Sequence, residues 1–108
     1  MDLDLPESIR TYIDASNAHN VESILTCFSD NATVQDEGET LTGKKAIEGW
    51  LAKTIEKYHF RFKPLTVQGD DPRIVLRNEV SGTFNGSPVT LDFHFTLEGG
   101  KISSLTVK

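Results

Sequence analysis

The hydrophobic period of this chain changes once, near His59. Before that point apolar residues recur at intervals of three and four. After it they alternate with polar ones. Helices present side chains with a period of about 3.6 and strands with a period of 2. The chain must therefore combine helices built mostly from its first half with strands built from its second. Such an order favours an α+β arrangement, with helices on one face of a curved, mainly antiparallel sheet. A chain of 108 residues is expected to form a single domain across 1–108, because halves of it would be too small to bury a core.

The spacing predicts a first helix over Leu5–Asn17, with Pro6 and Glu7 in its first turn and Asp4 as cap. Ile9, Tyr12, Ile13 and Ser16 fall on one face of it. Asn20 is placed to cap a short second helix, in which Val21, Ile24, Leu25 and Phe28 repeat that spacing. Ser29-Asp30-Asn31 should break it, Ala32–Asp36 reads as a strand, and Asp36–Thr42 as a polar loop. A third helix from Thr42-Gly43 to about Lys57 presents Ile47, Trp50, Leu51, Ile55 and Tyr58. Strand alternation begins at His59 with Phe60 and Phe62. Gly69-Asp70-Asp71-Pro72 is a turn, Asn85-Gly86 a hairpin signal and Gly99-Gly100 another. Ile74, Leu76, Asn78 and Val80 share an inward face, as do Val89, Leu91, Phe93, Phe95 and Leu97. Ile102–Val107 forms the last strand.

Charge and composition remove several function classes. The formal net charge is −5, with 11 basic against 16 acidic residues, and no basic stripe interleaves with aromatics. That surface disfavours nucleic acid. Cys27 is the lone cysteine and the three histidines are scattered, so neither an internal disulfide nor a zinc cluster of usual spacing is expected. No apolar run approaches the ~20 residues of a membrane span, and the acidic start Met1-Asp2-Leu3-Asp4 has no signal core, which predicts a cytoplasmic protein without membrane partners. Asn31-Ala32-Thr33 and Asn85-Gly86-Ser87 read as turn chemistry.

Polar residues on an inward face are the informative ones. Asp36 shares the parity of Ala32 and Val34. If it still belongs to the strand, partial desolvation raises its pKa and suits it to act as a general base; otherwise it has already passed into the loop. Tyr12 lies on the buried face of the first helix. Its hydroxyl either serves a developing oxyanion or ends at the rim of the core. Asn78 sits between Leu76 and Val80, where it supplies a ligand hydrogen bond or, as a strand-edge asparagine, is satisfied by backbone or water. Trp50, Phe60, Phe62, Phe93 and Phe95, with the inward Val80 and Leu105, are core residues that could also line a pocket for an apolar small molecule. His94 and Asp92 have outward parity, His19 and His59 read as surface, and Cys27 as a small buried hydrophobe. No Ser-His-Asp order, phosphate loop or dinucleotide glycine pattern is present.

The run from Tyr12 through Asn31-Ala32-Thr33-Val34-Gln35-Asp36, followed by Thr42-Gly43 and the third helix, resembles the nuclear transport factor 2-like superfamily. Within it the chain is similar to ketosteroid isomerases and SnoaL-like polyketide cyclase domains. The resemblance implies a cone-shaped α+β barrel with a deep apolar pocket and a homodimer packed through the outer sheet face. Ketosteroid isomerases use an aspartate base after the first strand, matched here by Asp36. Their oxyanion tyrosine on the first helix is matched by Tyr12. Phe93 stands where that family has its second donor, and Leu51 where a tyrosine supports the first. The expectation is a small isomerase or lyase acting on an apolar carbonyl compound without metal or organic cofactor. The alternative is a non-catalytic ligand-binding or dimerisation module of the same fold.

Overall fold

The computed structural model describes residues 5–36 and 38–108. The cap expected at Asp4 lies outside them, as does Glu37. Helix α1 runs over Glu7–Asn17 and α2 over Val21–Thr26, followed by strands β1 (Phe28–Asp36) and β2 (Glu39–Thr42). Helix α3 (Lys44–Tyr58) leads into β3 (Arg61–Asp70), β4 (Arg73–Ser81), β5 (Val89–Glu98) and β6 (Lys101–Val107). Asn20 caps α2 as its chemistry suggests, its side chain accepting from the Ser23 N–H at 3.1 Å. No described helix is long and apolar enough to cross a membrane.

The strands form one mixed sheet in the order β2-β1-β6-β5-β4-β3. Every pair is antiparallel except β1 with β6, which run parallel. The sheet is open, which corrects the closed barrel implied by the resemblance. Its edges, β2 and β3, make no ladder with each other. Instead α1 packs on β3, and α3 on β1 and β2, so helices cover the inner face where a barrel would need a further strand pairing. Nor do all three helices precede the sheet: α3 is inserted between β2 and β3.

Local corrections follow from pairing. Residues 39–42, read as loop, form an edge strand with one face against α3 and Leu41 half-buried. Ser29-Asp30-Asn31 belong to β1 rather than ending a helix; the β1–β6 register shifts between Phe28 and Thr33, and these polar residues fill the irregularity. His59 does not start a strand. It ends α3 in the left-handed conformation, at φ 48°. The β4–β5 connection is no tight hairpin at Asn85-Gly86: Val80 is the last residue of β4 paired with β5, opposite Val89, and a longer loop joins them.

Candidate functional site

The cavity owes its shape to how α1 is tied down. The Asn17 side chain both accepts from the Phe62 N–H at 2.7 Å and donates to the Phe62 carbonyl at 3.0 Å, so the amide acts as a ladder partner for β3. Two residues on, past the end of α1, His19 Nε2 lies 2.7 Å from the Phe60 carbonyl. Helix α1 is thereby fixed across the end of the sheet, and its inner face lowers Tyr12 onto the strands.

Tyr12 is 1% exposed. Its ring meets Phe28 and Phe95 edge-on, with centroids at 5.9 and 5.6 Å, and leans on Phe62 and Phe93. Burial pushes its pKa well above the ordinary tyrosine value, and the negative charge of Asp36 pushes the same way. Ser16, one turn along the helix, offsets part of this, although its own hydroxyl has no hydrogen bond of good geometry. The phenol therefore keeps its proton throughout the biological pH range.

Asp36 is the last residue of β1, half-buried and paired with Glu39 across the hairpin. It shares the side of buried Ala32 and Val34. Trp50, on α3, donates its indole N–H to Asp36 Oδ2 at 3.2 Å, which orients the carboxylate. Helix α3 is entered through Gly43, whose φ of 90° suits glycine and whose N–H bonds the Ala32 carbonyl at 2.8 Å.

These elements enclose a cavity of about 390 Å³. Tyr12, Asp36 and Trp50 stand on its wall from the helices and β1. Phe60, Phe62, Val80 and Phe93 stand on it from the sheet. Its surface is therefore apolar except for a few polar groups, the composition expected of a small-molecule site. Asn78, Phe95 and Leu105 do not reach the wall; all three are packed in the core. Asn78 is 0% exposed and both its amide atoms lack hydrogen-bond partners.

Sequence reasoning missed part of the wall. Thr54 lies one turn after Trp50 on α3, and helical spacing alone could have flagged it. Tyr58 and Phe84 meet edge-on at 5.7 Å near the opening, where Asn85 also sits. Their meeting depends on the long β4–β5 loop. Thr83 in that loop donates its N–H to the Tyr58 carbonyl at 2.7 Å, closing the end of α3.

The remaining candidates lie elsewhere. Arg77 and Asp92 pair across β4 and β5 at 2.9 and 3.4 Å on the outer face, which holds the Asp92 carboxyl below the usual carboxylate range. His94 shares that outward parity. Cys27 is buried, and burial raises its thiol pKa.

The pattern of the SnoaL-like domain matches residues 9–105. A candidate polyketide cyclase from Sinorhizobium meliloti is 33% identical, with 97% of this chain and 96% of that one covered and a TM-score of 0.94. At 20% identity, a hypothetical protein of ketosteroid isomerase-like fold from Catenulispora acidiphila, solved with trimethylamine, shares the fold at a TM-score of 0.84, with 97% of this chain and 86% of that one covered. A nuclear transport factor 2-like protein of unknown function from Cytophaga hutchinsonii does so at 18% identity and a TM-score of 0.80, over 100% and 91% of the two chains. No curated protein matches the chain. With the family pattern spanning α1 to β6, and a one-third identical relative covered nearly end to end, this chain belongs to the SnoaL-like domain family.

Proposed function

We propose that the chain is a cofactor-independent isomerase or cyclase acting on an apolar carbonyl compound. The observation that carries the reading is one apolar cavity with a half-buried carboxylate, Asp36, and a fully buried phenol, Tyr12, on the same wall. The Asp36 carboxylate takes a proton from the carbon next to the carbonyl and becomes a carboxylic acid. The C–H electron pair moves into the enolate, whose oxygen accepts a hydrogen bond from Tyr12. The enolate then either regains the proton from Asp36 at a conjugated carbon, which is isomerisation, or its carbon attacks a second carbonyl of the same molecule, whose oxygen takes the carbonyl electron pair and then the proton from Asp36, which is ring closure. Burial keeps the Tyr12 phenol protonated, so its hydroxyl is available as the hydrogen-bond donor to the enolate oxygen.

The reading is tested by deuterium exchange next to the carbonyl in a panel of aryl and alicyclic ketones. Asp36→Asn is expected to lose about 10²–10⁴ in rate, and Tyr12→Phe about 10²–10³. Exchange at the wild-type rate in Asp36→Asn would overturn it. A second reading, a ligand-binding module without catalysis, is favoured by Leu51 and Phe93 on the wall, apolar where a supporting network and a second donor would stand. It predicts tight, unchanged binding of a naphthol in Asp36→Asn and no exchange in any variant. Self-association through the outer sheet face is proposed with either reading, since one face of the sheet is left uncovered by helices; sedimentation of a monomer at high concentration would exclude it.

A further inference from the structure

Beside the main cavity lies a second recess, of about 280 Å³. Its wall shares Asp36, Trp50, Thr54 and Tyr58 with the cavity, so only those side chains separate the two spaces. The rest of the recess has different chemistry. Lys45, Gly49, Lys53 and Lys57 border it at intervals of four along α3, which places them on one helix face. A Cβ at Gly49 would meet nothing within 4 Å, so the helix surface between the lysines is open.

Among the described residues, three lysines and two carboxylates, Asp36 and Glu39, border the recess, on a chain whose net charge is −5. Glu39 is already engaged by Lys53 at 4.0 Å. Lys57 Nζ lies 5.0 Å from the centre of the Tyr58 ring, a wall residue of both spaces. Lys53 and Lys57 are one turn apart, about 6 Å along the helix axis, and both can reach one small anion. An apolar chamber parted by a few shared side chains from a lysine-bordered groove matches a molecule with an apolar body and a charged end.

We propose that this recess takes the carboxylate head of an amphipathic acid whose apolar body fills the main cavity. The proposal rests on reading that cavity as a ligand site and names the class of molecule it takes. The net negative charge of the chain repels anions at long range, so the lysine face supplies both attraction and orientation, holding the charged head in the recess and leaving the apolar body in the cavity beside Tyr12 and Asp36.

The test uses phenylhexanoate and the neutral phenylhexanol, with binding read from the fluorescence of Trp50, the chain's one tryptophan. At low salt the acid is expected to bind about fivefold more tightly than the alcohol, the scale of two exposed charge pairs. That advantage should vanish in Lys53→Gln/Lys57→Gln and in high salt, and persist in Lys63→Gln, which removes one charge at an exposed position of β3. Equal affinities for acid and alcohol would overturn the proposal and leave the cavity reading standing. So would an advantage lost as much in Lys63→Gln as in the double variant. Failure of both compounds to bind would overturn both.

Discussion

A phenol ringed by Phe28, Phe62, Phe93 and Phe95 can ionise only by leaving its surroundings. The folded-state pKa of Tyr12 lies above its unfolded value, so its contribution to stability is complete below about pH 10 and is lost as pH rises. Above that point the unfolded chain gains by releasing the proton, at about 1.4 kcal/mol per pH unit. Tyr12→Phe should therefore unfold in urea with a shallower loss of stability between about pH 9 and 11 than the wild type. Parallel slopes would show that the hydroxyl is reached by solvent. The inward side of Tyr12 was legible from Ile9 and Ile13, and that of Asp36 from Val34 only if the strand reached that far, which local sequence left open because polar residues follow it. Asn17 was not legible. Its partner is the backbone of Phe62, 45 residues away, and nothing local distinguishes a clamp from a polar helix end.

Elements were legible where one side chain in two is apolar, and hidden where polar residues fill a strand. Glu39-Thr40-Leu41-Thr42 offers one apolar residue, and as an edge strand β2 needs no more. Ser29-Asp30-Asn31 have turn chemistry, but the parallel neighbour β6 holds the backbone around them extended. The loop after β4 shows a third kind of constraint. A Cβ on Gly82 would collide with the Tyr58 carbonyl oxygen, which also accepts from Thr83. Gly82→Ala must push the loop off the end of α3, and with it Phe84 from the mouth of the cavity. A cost of about 1–3 kcal/mol is expected. Gly49→Ala, in open space on the same helix, should instead stabilise by about 0.5–1 kcal/mol. Thermal unfolding of the two variants checks this, and shifts of the same sign would contradict it.

At the scale of the molecule, the change of period near His59 foretold an α+β fold but not the order of strands. Pairing order is set by contacts far apart in sequence, and an alternating pattern is the same at the centre of a sheet as at its edge. The parallel contact of β1 with β6 was therefore invisible, and with it the openness of the sheet. Strand β6 bonds β1 on one side and β5 on the other. A chain ending at Gly100 should lose all cooperative thermal unfolding by circular dichroism, because it is left with two ribbons, β2-β1 and β5-β4-β3. A sharp transition near the wild-type midpoint would show that either ribbon stands alone.

That central place of β6 also bears on how the protein is made. The ribosome releases β6 after all the other strands, yet it is the keystone of the sheet. Until it emerges, the apolar sides of Ala32 and Val34 wait without their lateral neighbour, open to chaperones and to other nascent chains. Folding is thus held back until translation has passed Val107. Weakening substitutions in β6 should then lower the yield of soluble protein more than the activity of the molecules that do fold.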